Sequence, residues 1–274
     1  MQQPKAESFE FFEFRRGGVV VEGAPLCGLT LHSAGSMRFR WNEDNPNREK
    51  VFQNFHLLGQ RSSCSKTVVP VQLDHTHIVY DVKKADDTQG KIGDGIITVN
   101  RDLMPSVTVA DCMPLYLYEP VTGVFGIVHS GWKGTGIVAD AIELAGRNYG
   151  AKASDFCVVL GPHIRDCCYI VNEERASWFS ANFTPDCVRP LEAGTEVSWN
   201  TGGGPLYRLS LEKANLAALQ KAGVPKQNIW VHPACTCCTK NTAGTYIYGS
   251  NRRETTAAGA PDKFTVQTAF IFAN

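Results

Sequence analysis

The stretch from Val107 to Gly150 constrains the fold more than any other part of the chain. Val107-Thr-Val-Ala110 and Leu115-Tyr-Leu-Tyr118 read as one extended apolar segment interrupted at Asp111-Cys112-Met113-Pro114. Glu119-Pro-Val-Thr-Gly123 has the composition of a turn and returns the chain into Val124-Phe-Gly-Ile-Val128, so a buried hairpin is expected. His129-Ser-Gly-Trp-Lys-Gly-Thr135 follows, then a helix from about Gly136 to Tyr149 with Ile137, Val138, Ala141, Ile142, Leu144 and Ala145 as its apolar face. A strand that enters a helix through a glycine-rich loop aims backbone amides into that loop.

Short β-branched runs at Val68 to Val71, His77 to Val82 and Gly95 to Val99 have strand length, with Gly93-Asp94-Gly95 as a turn before the last. A helix is expected from Pro46 to about Leu58, with Val51, Phe52, Phe55 and Leu58 on one face. Phe156 to Leu160 and Ile229 to His232 read as short buried strands, Leu211 to Ala222 as an amphipathic helix stopped by Gly223, and Phe264 to Phe272 as a closing strand. The expected class is α/β: a mixed-sheet layered fold with helices outside the sheets. Without an internal repeat or a long linker, residues 1–274 read as a single domain.

The 27 Lys and Arg balance 27 Asp and Glu, and the only tight basic pairs are Arg15-Arg16, Lys83-Lys84 and Arg252-Arg253. No nucleic-acid or acidic-lipid partner is therefore expected. No apolar run approaches the roughly 20 residues of a membrane span. The start, Met1 to Arg16, mixes acidic residues with Phe and has no apolar h-region, which points to a cytoplasmic protein with reduced thiols. Nothing in the sequence sets the oligomeric state. The ten cysteines then need explaining as metal ligands, a nucleophile or plain buried thiols, since a chain of this size needs no disulfide staples.

His75, Cys112 and His129 each fall near a strand end in this scheme. A His2Cys set suits a catalytic zinc, which uses three protein ligands and keeps a fourth position open. The residues are spaced too widely for a local finger motif, and the opposing reading is a set of ordinary hydrogen-bonded core residues. Cys235-Thr-Cys237-Cys238 and Cys167-Cys168 could make a four-thiolate structural site, since Cys235 and Cys238 have the two-residue gap of a zinc knuckle. Zinc ribbons pair two such gaps, and adjacent cysteines are not one, so this is the weaker metal candidate. Cys27, Cys64, Cys157 and Cys187 stand alone and read as buried or incidental thiols.

Asp111-Cys112-Met-Pro114 followed by His129-Ser-Gly-Trp-Lys-Gly134, with an upstream histidine four residues before Val79 and then Gly93-Asp94-Gly95-Ile-Ile-Thr98, resembles the multicopper polyphenol oxidoreductase (laccase-like) family. Leu160-Gly-Pro-His-Ile164 with Cys168-Tyr169-Ile-Val171, and Cys235-Thr236 with Ser250-Asn-Arg-Arg253, extend the resemblance in order from about residue 50 to the C-terminus. That family is now better described as purine nucleoside phosphorylases with adenosine deaminase activity. The resemblance implies a single-domain α/β fold and one zinc held by His75, Cys112 and His129, with His77 the competitor for the first position. Three positions depart from the family pattern: Leu73 where Gln is usual, Lys133 where Arg is usual and Asn251 where an aromatic is common.

Zinc bound there would activate water for attack on the amino-bearing carbon of adenine. Phosphorolysis also needs a cationic cradle, for which Lys133, Arg252, Arg253 and the amides of Gly131 to Gly134 are candidates. Trp132 and Tyr169 could stack on a purine or ribose, and Asp111 is expected to hold His129 or the water. The expected partners are thus a small-molecule nucleoside and phosphate. One rival is a peptidoglycan-precursor editing amidase, with Cys112 as nucleophile and His129 as base. Others are a copper-dependent polyphenol oxidase, disfavoured by a total of seven histidines, and a non-enzymatic metal- or ligand-binding regulator.

Overall fold

A computed structural model describes residues 8–57, 66–197, 204–258 and 263–273. Leu58 and Cys64 lie outside the described residues, as does the side chain of Phe55. One five-stranded sheet has the order β1 (Phe9–Phe12), β4 (Leu26–Thr30), β16 (Gln267–Phe272), β8 (Leu103–Val109), β5 (Thr67–Pro70). A six-stranded sheet has the order β15 (Ile229–Val231), β11 (Cys157–Leu160), β9 (Met113–Glu119), β10 (Val124–Ser130), β7 (Gly95–Thr98), β6 (Val79–Asp81). Smaller sheets are β12 (Ile170–Asn172), β14 (Leu206–Leu209) and β13 (Val188–Pro190), and the hairpin β2 (Arg15–Arg16) with β3 (Val19–Val20).

Side-chain alternation explains how these pieces stack. Successive residues of a strand point to opposite faces. In β9, Leu115 and Leu117 pack with α2 (Ile137–Tyr149) and α4 (Leu211–Ala222), whereas Tyr116 faces the five-stranded sheet. β11 divides the same way, with Val158 and Leu160 against Cys157 and Val159. The six-stranded sheet is therefore buried on both faces, which is why its strands read as near-continuous apolar runs. In the other sheet, Ala269 and Ile271 of β16 enter the core between the sheets, and Phe270 and Phe272 pack outward against Phe52 of α1 (Pro46–Leu57). Helices thus lie outside both large sheets, as the sequence pattern implies. α3 (Glu173–Asn182) packs on the three-stranded sheet, and α5 (Asn251–Ala258) follows the loop after β15. Among the described residues, no helix is long and apolar enough to cross a membrane.

One sequence expectation needs correction. β9 and β10 do form the expected antiparallel hairpin, with Glu119 opposite Val124 and Met113 opposite Ser130. The Val107 segment is not continuous with it: β8 pairs with β16 and β5 in the other sheet. Asp111, with φ of 77°, turns the chain from one sheet to the other. Apolar alternation reports that a segment is buried but not which sheet buries it.

Candidate active site

Three connections converge at the ends of β7, β9 and β10. His75 lies in the loop before β6, Cys112 in the crossover from β8 to β9, and His129 is the next-to-last residue of β10. Their ligand-capable atoms all lie within 4.8 Å of one another. Gly131 makes the space: a Cβ there would stand 2.7 Å from Cys112 Sγ and 3.4 Å from His129 Cε1. His77 is elsewhere, with Nδ1 2.7 Å from Asp140 Oδ2 and Nε2 3.2 Å from the Lys133 carbonyl.

A carboxylate that the sequence reading passed over as part of a turn organises these ligands. Asp94 is wholly buried, and its Oδ1 lies 2.9 Å from His129 Nδ1. The same oxygen accepts the His75 N–H at 3.1 Å, and Oδ2 accepts the Thr76 N–H at 2.7 Å and the Thr76 hydroxyl at 2.8 Å. Asp94 thus binds one histidine by its ring and the other by its backbone. His75 has φ of 55°, a left-handed conformation that costs a non-glycine residue about 1–3 kcal/mol and persists only where its surroundings enforce it.

Electrostatics follow from this packing. Burial opposes the charged form of His129, but the Cys112 sulfur and the Asp94 carboxylate outweigh it and raise its pKa to about 10. Burial, reinforced by the charge of His129, lowers the pKa of His75. Two imidazoles and one thiol at this separation, with a carboxylate behind one ring, are the donor chemistry of a three-ligand zinc site.

Asp111 does not hold His129. Its Oδ1 accepts the Thr236 hydroxyl at 2.7 Å, and its Oδ2 accepts the Ser250 hydroxyl at 2.9 Å and the Arg252 N–H at 2.7 Å. Burial pushes its carboxyl pKa up against these donors. Its work is to tie the crossover to the 236 loop and the start of α5.

Arg253 also departs from the expected phosphate cradle. Nη1 donates to the carbonyls of Thr236 and Cys237, both at 2.9 Å, and Nη2 to the Tyr248 carbonyl at 2.7 Å and Glu254 Oε1 at 2.8 Å. All four terminal N–H groups are committed to the fold.

Three of the remaining expected residues, Trp132, Tyr169 and Arg252, are joined by contacts through Arg175 and the Tyr169 ring. Trp132 is partly exposed, and the guanidinium carbon of Arg175 sits 3.7 Å from its ring centroid. Arg175 Nη1 donates to the Tyr169 hydroxyl at 3.3 Å, and its buried Nε has no hydrogen-bond partner among the described residues. Tyr169 is buried, with the Arg252 guanidinium 5.6 Å from its ring centroid and Arg252 Nη1 donating to the Ile170 carbonyl at 3.1 Å. Lys133 is exposed, and its charge adds to the lowering of the His75 pKa. Arg175 was missed because an arginine in the first turn of a polar-faced helix carries no sequence signal. A separate apolar groove of about 880 Å³ between α2, α3 and α4 has His77 at its edge and contains none of the three ligands.

This chain is 31% identical over 269 residues to a purine nucleoside phosphorylase of Clostridium acetobutylicum, covering 97% of this chain and all 100% of that protein. It is 31% identical over 169 residues to purine nucleoside phosphorylase YlmD of Geobacillus stearothermophilus, or 61% of this chain and 57% of that one. With purine nucleoside phosphorylase LACC1 of Mus musculus it shares 30% over 222 residues, 80% of this chain and 46% of that one. The sequence matches to these last two span about half of each relative's length. The crystal structure of a Bacillus licheniformis hypothetical protein, YfiH, superposes with a TM-score of 0.72 at 24% identity, covering 91% of this chain and 93% of that one. YlmD from Geobacillus stearothermophilus superposes with a TM-score of 0.69 at 24% identity, covering 96% and 100%. Because the family model described as multi-copper polyphenol oxidoreductase laccase matches residues 26–260, across both large sheets and every residue of the site, the chain belongs to that family.

Proposed function

We propose that this protein is a zinc-dependent purine nucleoside phosphorylase acting on adenosine, inosine or methylthioadenosine, and that the same site deaminates adenosine. The observation that carries the reading is the three-donor set of His75, Cys112 and His129; the contact chain of Trp132, Arg175, Tyr169 and Arg252 supplies aromatic faces and guanidinium groups. A purine ring has an aromatic face for Trp132 to stack on, and phosphate suits the guanidinium groups of Arg175 and Arg252 with Lys133 at the rim. The relatives named purine nucleoside phosphorylase support the substrate class.

When bound, zinc supplies a Lewis acid next to the substrate pocket. Asp94 holds Nδ1 of the His129 ring, which fixes the ring and leaves Nε2 as its ligand atom. Arg175 and Arg252 hold phosphate against the ribose; its oxygen bonds to the anomeric carbon as the glycosidic bond breaks, and the purine leaves with the electron pair and takes up a proton. In deamination, water adds at the amino-bearing carbon and ammonia leaves. Zinc suits the site better than copper, because one thiolate and two imidazoles make a mononuclear set and the whole chain has only seven histidines.

The test is to incubate metal-quantified protein with adenosine and phosphate and to follow free base, ribose phosphate and inosine. His75→Ala and Cys112→Ala should lose the zinc of this site and both activities with the fold retained. Failure of the wild type to make any product at full zinc occupancy would remove the proposal. A second reading is favoured by one juxtaposition: Cys112 Sγ lies within 4.8 Å of a ring nitrogen of His129, and Asp94 holds that ring from behind, an arrangement that fits an amidase nucleophile and base. Amide cleavage that survives chelation, with a covalent adduct on Cys112, would establish that reading instead.

A further inference from the structure

The geometry points to a second metal site, a tetrathiolate zinc centre formed by Cys167, Cys168, Cys235 and Cys238. These residues come from two loops distant in sequence, one between β11 and β12 and the other between β15 and α5. Their four sulfurs lie within 4.8 Å of one another. Adjacent cysteines look unsuited to a ribbon-type site, yet the fold brings Cys167-Cys168 against the two-residue gap of Cys235 and Cys238.

The spacing decides between the two things that clustered thiols do. Tetrahedral zinc with Zn–S bonds of about 2.3 Å requires sulfur–sulfur edges of about 3.8 Å. Cys167 Sγ lies 3.8 Å from Cys168 Sγ and 3.9 Å from Cys238 Sγ. A disulfide needs about 2.05 Å, roughly half of that separation. The surroundings also suit a thiolate cluster. The Arg165 N–H points at Cys235 Sγ at 3.4 Å, the kind of backbone donor that steadies a metal-bound sulfur. Arg208 Nη1 donates to the Cys167 carbonyl at 2.8 Å, which holds that loop in place. Cys237, the remaining thiol of the 235 loop, falls outside the group of four.

On binding, four S–H protons pass to solvent as four Zn–S bonds form, with no change of oxidation state. The centre would cross-link the loops that carry Tyr169 and Thr236. Cys168 precedes Tyr169, and Thr236, between the two ligands of the other loop, donates its hydroxyl to Asp111. Its role is structural: four protein ligands leave no open position for a substrate.

Metal analysis of the full chain purified under reducing conditions should find two zinc equivalents. Cys167→Ser combined with Cys238→Ser should remove one of them, and His75→Ala should remove the other. Substitution with Co2+ gives a second readout: sulfur-to-cobalt charge-transfer absorbance should fall by most of its intensity in the double cysteine variant and persist in His75→Ala. One zinc equivalent in the wild type, unchanged by the cysteine substitutions, would overturn the proposal. So would loss of thiols from these four positions with a mass two hydrogens lighter per pair, which would identify a disulfide. The total of two equivalents rests on the proposed zinc at His75, but the equivalent and the charge-transfer band lost in the double cysteine variant are diagnostic whether or not that site holds metal.

Discussion

Asp94 Oδ1 and His129 Nδ1 stand 2.9 Å apart with both side chains shut off from solvent, and this contact leaves Nε2 as the ligand atom of the imidazole. Replacing Asp94 by Asn leaves the shape but removes the charge and turns one of two accepting oxygens into a donor, which must then face either the His129 and His75 donors or those of Thr76. The expected result is a 10–100-fold loss of metal affinity, the usual range for such supporting residues. Competition against a chromophoric chelator measures it, with circular dichroism as the control for folding. Unchanged affinity would show that Asp94 only holds the His75 turn.

Gly131→Ala tests the space around the thiol. Its Cβ would meet Cys112 Sγ at 2.7 Å, closer than atoms of this kind approach, so the sulfur must shift. Metal affinity should fall by roughly tenfold or more while the melting temperature barely moves. Unchanged metal affinity in the variant would mean that Cys112 is not a ligand.

Arg175 and Arg253 should separate cleanly by their effects. Arg253→Ala strands the carbonyls of Thr236, Cys237 and Tyr248 and should cost about 3 kcal/mol of stability, with little change in KM for the molecules that fold. Arg175→Ala should raise the KM for phosphate by roughly 10–100-fold with little loss of stability. The reverse pattern would exchange their roles.

Acid stability should depend in part on Glu10. Burial raises its pKa, but hydrogen bonds from His232 and the Tyr248 hydroxyl, with the charge on His232, outweigh it and hold the carboxyl below its ordinary 4.5. A depressed folded value means that the contribution is complete above about pH 4.5 and is lost as pH falls through the folded pKa. The stability gap between wild type and Glu10→Gln in urea titrations should therefore close on acidification. A gap that widens below pH 4.5 contradicts this assignment.

Tyr116 bolts the two large sheets together, its hydroxyl donating to the Gly28 carbonyl of β4 at 2.8 Å inside the core. Tyr116→Phe keeps the packing and removes that bond. A loss of about 1 kcal/mol is expected, seen calorimetrically as a fall of about 2–4 °C in Tm.

Local chemistry made much of this molecule readable in advance. α4 runs from Leu211 to Ala222, as read from the sequence, because Ser210 caps its first turn by accepting the Lys213 N–H and Gly223 ends it with φ of 93°. The β9–β10 hairpin and the helix after it follow from turn composition and apolar period. Asp94 escaped notice because Gly-Asp-Gly reads as a turn whether or not its carboxylate is buried. Arg252 and Arg253 looked alike as a pair, but successive helical residues point about 100° apart. One faces Tyr169, and the other is consumed by backbone carbonyls.

The sequence by itself determined the α/β class, the identities of His75, Cys112 and His129 as metal-ligand candidates, and the glycine-rich turn into α2. Periodicity, caps and turn residues act over a few positions, so they are written locally. Only the tertiary structure decided that Asp94 would support His129, that Asp111 would bind Thr236 and Ser250, and that Cys167-Cys168 would meet Cys235 and Cys238. Those partners are far apart along the chain, and packing of the two large sheets and their connecting loops is what sets the distances between them.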